Sequence, residues 1–254
     1  MKDYRPPFTI TNEILAYVAS ISEKVGIMSY TREQIWLRLN EMASQMSLFY
    51  KKGCINYRGK TKDTKEYYTE VISQWLLEHF ELLEQISPIT RKSSYRVDGH
   101  DGIPDHPDSN REEELIAMSM KRQGHLSMVG QVLDYQTPLK NVQKDKAGKI
   151  DLLTYDGTTL RILELKEPDS KETMLRCVLE GYTYLKTVDQ AKLLVDFGLP
   201  ADTEVVACPF VFREGFQWKE MQQDRPYLKR LMEVLDTKPY YVVEENGVYV
   251  VKEE

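Results

Sequence analysis

Residues 148–166 read GKIDLLTYDGTTLRILELK, and within two otherwise apolar runs they place Asp151, Glu164 and Lys166. Two carboxylates and an ammonium in such a setting need a cation, a proton or a partner. The Asp156-Gly157 pair between the runs is a hairpin signal, since both centres of a type I′ turn take positive φ. That turn predicts antiparallel pairing with Tyr155 opposite Thr158 and Asp151 opposite Ile162. Strand faces alternate with period two, so Asp151, Ile162, Glu164 and Lys166 share one face. Asp151 and Glu164 become diagonal neighbours with backbones about 7 Å apart, near enough to lean toward one cation while Lys166 reaches the same pocket. A loop longer by two residues keeps this parity, and a bulge breaks it.

Ile150, Leu152, Leu163 and Leu165 line the other face, and Leu153, Leu160 and Ile162 accompany the charges. Strands covered on both sides belong to a layered α/β domain, where an unpaired carboxylate costs several kcal/mol. The competing reading is a structural ion pair of Asp151 or Glu164 with Lys166 at the end of an edge strand.

Asp151, twelve intervening residues, then Glu164-Leu165-Lys166 resembles the active-site signature of the PD-(D/E)XK nuclease superfamily. Its surroundings match in kind. A helix is expected over 110–123 and a strand over 129–136. The hairpin follows, then a helix over 171–186 and a strand over 204–212. The resemblance covers roughly residues 110–212. It implies a restriction-endonuclease-like αβββαβ core with a mixed central sheet. It also implies Mg²⁺, with Mn²⁺ substituting, held by Asp151, Glu164 and the Leu165 carbonyl, while Lys166 directs the attacking water. Hard oxygen donors suit Mg²⁺, which lowers the pKa of bound water and neutralises phosphoryl charge.

A further glutamate in such enzymes comes from the first helix, and Glu112, Glu113 and Glu114 are candidates. Ser109-x-x-Glu112 fits a capping box, which turns Glu112 away. Glu113 leads the face of Ile116, Ala117 and Met120 and is the preferred fourth catalytic residue. All three also suit a helix N-terminus through its dipole. Gln131 is an outer-shell candidate. Arg176, Glu180 and Tyr184 form a polar stripe on the following helix, placing Arg176 either on a phosphate or in an i, i+4 ion pair.

The net charge of −6 counts against nucleic-acid binding unless a local basic patch exists. Lys51, Lys52, Arg58, Lys60, Lys62 and Lys65, with Tyr50 and Tyr57 among them, form one candidate, and aromatic rings there could stack on unpaired bases. Lys140, Lys144, Lys146 and Lys149 form another, with Lys146 and Lys149 next to the hairpin. Either run also reads as a solvated loop.

With 254 residues, 41% of them hydrophobic, the chain suits one large domain or two small ones. It has no membrane-span run and no apolar signal-peptide centre, which points to a soluble, cytoplasmic protein. Cys54, Cys177 and Cys208 lack metal-type spacing and are expected to be free buried thiols.

Residues 1–95 read as a helical module with helices over 14–25, 35–49 and 68–86, the second opened by a Thr31-x-x-Gln34 capping box. Residues 96–109 read as a Gly/Pro/Asp-rich linker, and 110–254 as the nuclease-like domain. In the linker, His100, Asp101, Asp105 and His106 are weighed as a cation site and read as solvated. Residues 6–26 resemble the leader helix of Fic-type proteins, which hints at a partner or substrate docked by the N-terminal helices. The Fic catalytic loop is missing, since His106-Pro107 continues Asp-Ser-Asn. Gly53 and Gly59 are spaced wrongly for a phosphate loop. A helix is expected over 226–235, and a hairpin around Asn246-Gly247 is expected to extend the sheet.

The expected function is metal-dependent phosphodiester hydrolysis on nucleic acid, DNA in the first place. The alternative is a member of this fold that binds nucleic acid or protein without cutting. A double-strand cutter needs two sites, so a homodimer stays open.

Overall fold

The computed structural model describes residues 29–104, 106, 111–142 and 145–252. The Fic-like leader, the helix expected over 14–25, Asp105, Ser109 and Lys144 lie outside them.

Helix α1 spans Arg32–Met42, opened by the expected capping box: Gln34 N donates to Thr31 Oγ1 and Thr31 N to Gln34 Oε1. It ends earlier than predicted, because Gln45 leaves helical geometry (φ −137°, ψ 62°) and a 3₁₀ turn over Met46–Lys51 carries Phe49 and Tyr50 into the core. Helix α2 (Tyr68–Glu78) is also shorter than its periodicity suggests. His79 turns out of it, stacking on Trp75 and donating through Nδ1 to the Trp75 carbonyl, before a single-turn helix, α3, over Glu81–Glu84.

Helix α4 (Glu112–Gln123) precedes strands β1 (His125–Leu126), β2 (Gly130–Pro138), β3 (Lys149–Tyr155) and β4 (Thr159–Lys166). Helices α5 (Met174–Thr187) and α6 (Gln190–Phe197) lead to β5 (Glu204–Phe212). Helices α7 (Phe216–Met221) and α8 (Pro226–Val234) are followed by β6 (Tyr240–Glu245) and β7 (Val248–Lys252). The seven strands form one mixed sheet in sequence order. It is antiparallel from β1 to β4 and from β6 to β7, and parallel for β4–β5 and β5–β6. The sheet curls nearly into a barrel. Ser127 Oγ donates to Val251 O and accepts from Val251 N, while the Gln123 side chain pairs with the Tyr249 backbone.

Helices α6 and α7 and strand β1 were not expected. The α6 signals are local and legible: Asp189 caps the Lys192 amide and Gly198 ends the helix in a left-handed conformation. At the C-terminal end both Asn246 and Gly247 have positive φ, and Glu245 faces Val248, as the dipeptide requires.

Both faces of the sheet are covered. Ile116, Ala117 and Met120 of α4 pack on Leu152, Leu163 and Leu165. On the other face Leu153, Leu160 and Ile162 join a cluster that runs through α5 and α8 to Ile35, Phe49 and Trp75, so this core draws residues from both sides of residue 95. Residues 96–104 do not behave as a solvated linker throughout. His100 stacks on Tyr135, and its Nδ1 lies 2.7 Å from Oδ1 of buried Asp134, which also accepts from Tyr135 N and Thr137 Oγ1. The three cysteines are buried and unpaired. Among the described residues no helix is long and apolar enough to cross a membrane.

Candidate active site

The hairpin register differs from the two-residue turn. Leu152 faces Leu163 and Tyr155 faces Leu160, a shift of two residues that puts Asp151 level with Glu164 instead of Ile162. Asp156 itself is the cause. Its Oδ1 accepts from the amides of Thr158 and Thr159, and its Oδ2 from Arg161, so the carboxylate closes a longer loop. Of the two dipeptide residues only Gly157 has positive φ. An even shift preserves parity, so Asp151, Glu164 and Lys166 remain on one face.

All three are buried, at 8%, 2% and 4% relative exposure. Asp151 Oδ2 accepts from the Leu165 amide at 3.0 Å, which ties β3 to β4 at the site. Its Oδ1 accepts from Gln136 Nε2 at 3.0 Å. Gln136, with φ +49°, lies opposite Asp151 on β2, whereas Gln131 sits at the far end of that strand opposite Tyr155. Only the β2–β3 register distinguishes the two glutamines, and the long loop between the strands hid it.

Lys166 Nζ has four carboxylate neighbours. Glu164 Oε1 lies at 2.7 Å, Glu172 at 3.4 Å, Glu113 at 3.6 Å and Glu180 at 3.8 Å. Helix α4 brings Glu113 in because its apolar face docks on the sheet. It starts at Glu112 with Arg111 in the N-cap position, so Glu112 occupies the first turn and not the third position of a box. Helix α5 brings in Glu180. Thr173 caps α5 by accepting from Arg176 N, and Cys177 lies against β4, its thiol donating to the Glu164 carbonyl. Of the polar stripe, Glu180 accepts from Tyr184 Oη at 2.8 Å, while Arg176 pairs with Glu172 at 2.9 Å. Glu172, at the mouth of α5, carries no periodic signal and was missed.

Burial pushes the Asp151 carboxyl up to about 7, with Glu113 and Glu180 adding to the shift and Lys166 opposing it. Burial likewise lifts Glu164 well above the usual carboxylate range, reinforced by Asp151 and Glu180. Burial opposes charge on Lys166, but Glu164, Asp151 and Glu180 outweigh it and hold the ammonium well above its ordinary pKa. Glu113 is raised by burial, against the pull of Lys166.

These groups floor an open cleft of about 720 Å³ whose lining, among the described residues, carries nine carboxylates against four cations. Such an excess of negative charge attracts a divalent cation. Glu164 Oε2 is buried and accepts no hydrogen bond. Among the described residues no three His, Cys, Asp or Glu side chains form a metal cage. Mg²⁺, however, keeps several waters and commonly takes only one or two protein carboxylates, so the Asp151 and Glu164 oxygens fit it.

Lys149 and Lys146 are exposed and outside this cleft, and the Lys146 carbonyl accepts from Lys51 Nζ at 3.2 Å. Tyr50 is not available for stacking on bases, since it is buried edge-on against Tyr184, and Tyr57 stacks on Tyr30. No family model, curated protein or solved structure matches the chain.

Proposed function

We propose that the protein is a Mg²⁺-dependent nuclease, with Mn²⁺ able to substitute, that hydrolyses phosphodiester bonds of nucleic acid, DNA foremost, through a restriction-endonuclease-like core. The observation that carries this reading is the buried Lys166 ammonium set beside level carboxylates from two paired strands, at the floor of an acidic cleft. Asp151 and Glu164, with the Leu165 carbonyl, would hold the ion. When bound, it supplies charge neutralisation at the phosphoryl oxygen and an acidified water. Lys166 donates a hydrogen bond that orients the attacking water, Glu164, Asp151 and Glu180 keep its side chain charged, and Glu113 and Glu172 flank its ammonium at 3.6 and 3.4 Å. Gln136 fixes the carboxylate of Asp151. Arg176, at the cleft wall, is the residue to meet a phosphate oxygen, with Lys146 and Lys149 contacting the strand farther out.

Cleavage of plasmid DNA, single-stranded DNA and RNA with Mg²⁺ or Mn²⁺ tests this reading. Absence of cutting on all three would leave a binding module as the function.

Two results are expected from the same groups. The folded Asp151 carboxyl titrates above its ordinary 3.8, so the folded state holds that proton more tightly than the unfolded chain. Its contribution to metal-free stability therefore falls as pH rises from about 4 to about 7. Mg²⁺ binds the deprotonated form, so the rise in Tm with millimolar Mg²⁺ should be several degrees larger at about pH 8 than at about pH 5. A gain independent of pH would count against Asp151 as a ligand.

Gln136→Met should raise the Mg²⁺ concentration for half-maximal cleavage by about 10–100-fold, with the rate at saturating metal largely kept. A metal titration of the cleavage rate checks it.

A further inference from the structure

A second cavity, of about 460 Å³, adjoins the acidic cleft, and Tyr184 lines both. From Lys166 the path to this shared wall takes two polar contacts: Glu180 lies 3.8 Å from Lys166 Nζ and accepts from Tyr184 Oη. Tyr184 also meets Tyr50 Oη at 3.5 Å. The backbone leading into β3 passes directly over it, and a Cβ on Gly148 would collide with the hydroxyl.

The two recesses differ in chemistry. Among the described residues no carboxylate lines the second one. Its buried lining combines Met46 and Ile86 with the rings of Tyr50 and Tyr184 and the side chains of Thr183 and Thr187, and its exposed lining carries Gln45, Ser47, Gln85 and Ser87. Its cations are Lys146 in the lining and Lys51, whose Nζ sits on the Lys146 carbonyl. A flat apolar body with hydrogen-bonding edges, joined to a phosphate, matches such a pocket, and the volume is within the range of small-ligand sites.

We propose that this cavity receives one unpaired nucleobase of a single-stranded nucleic acid whose scissile phosphate lies at Asp151 and Glu164. The inference rests on the nuclease reading and adds its substrate class. Charge supports it. With a net charge of −6 and a cleft lined mainly by carboxylates, counterion release gives little affinity, so a base-binding pocket must supply much of it. A base in a duplex is stacked and paired and reaches such a pocket only at the cost of being flipped out. An adjacent phosphate would pass Lys51 and Lys146, which gives these lysines a role at the second recess rather than at the metal.

The test uses the full chain carrying Asp151→Asn, so that substrate survives, with a labelled 12-nucleotide single strand and the matching duplex in Mg²⁺. The single strand is expected to bind at least tenfold tighter. Ser47→Trp, an exposed lip position, should weaken single-strand binding about tenfold and change duplex binding less than twofold. As a measurement that needs no lip variant, a 4-thiothymidine-containing strand should photo-crosslink to residues 44–50, 85–89 or 146–148. Equal binding of both forms, unaffected by Ser47→Trp and with crosslinks confined to the acidic cleft, would overturn the pocket and leave the nuclease reading standing. Wild-type protein that cuts no strand, or cuts independently of Asp151, would instead remove the reading on which the pocket rests.

Discussion

Asp151→Asn and Lys166→Met are each expected to lower Mg²⁺-dependent cleavage by about 10²–10³-fold or more at saturating metal. Asp151→Asn removes a charged oxygen donor while keeping the shape of the side chain and its place beside Gln136 and the Leu165 amide. Lys166→Met keeps the length and apolar stem but removes the ammonium to which the proposed mechanism assigns the attacking water. The two groups act on one transition state, so the double variant should be little slower than the slower single one. Single-turnover cleavage with metal in excess separates this from weaker binding. A rate within threefold of the parent for either variant, in protein that circular dichroism shows to be folded under the assay conditions, would exclude the triad as the reacting site.

Lys166→Met should also destabilise the metal-free protein, by about 3–5 kcal/mol near pH 8. Glu164 is 2% exposed, its Oε1 has Lys166 as partner at 2.7 Å, and its Oε2 has none. Removing the ammonium leaves a buried carboxylate that can persist only by taking up a proton. Its folded-state pKa is already raised and rises further, so the penalty grows as pH rises above the ordinary carboxylate range and shrinks toward about pH 5. Adding Glu164→Gln should restore most of the loss, because two neutral groups replace an orphaned charge. Urea denaturation of the single and double variants at both pH values measures this cycle. Strictly additive losses would show that the two side chains are not coupled and would leave their 2.7 Å contact without energetic weight.

The two hairpins show how far local rules reach. Asn246-Gly247 makes the two-residue turn that its composition dictates, while Asp156-Gly157 does not, because Arg161 and two threonine amides compete for the aspartate. The face assignment of the triad survived this, since side-chain parity depends only on whether the register shifts by an even number. Helix lengths fared less well. The periodicity over 35–49 and 68–86 is continuous, yet Gln45 leaves helical geometry where Phe49 and Tyr50 turn into the core, and His79 ends the second helix before the turn that buries Leu83.

Residue order alone carried the alternation that places Asp151, Glu164 and Lys166 on one face, and the apolar stripe that turns Glu113 toward the sheet. Both follow from periods of 2 and 3.6 residues, which are properties of the backbone. Long-range packing settles the rest: Gln136 and not Gln131 holds Asp151, Glu172 and Glu180 join Glu113 around Lys166, and Tyr184 stands between the acidic cleft and the second cavity. Those contacts cross long loops and the β4–α5 connection. Their register is set by the packing of α4 and α5 on opposite faces of the sheet, and no local pattern encodes it.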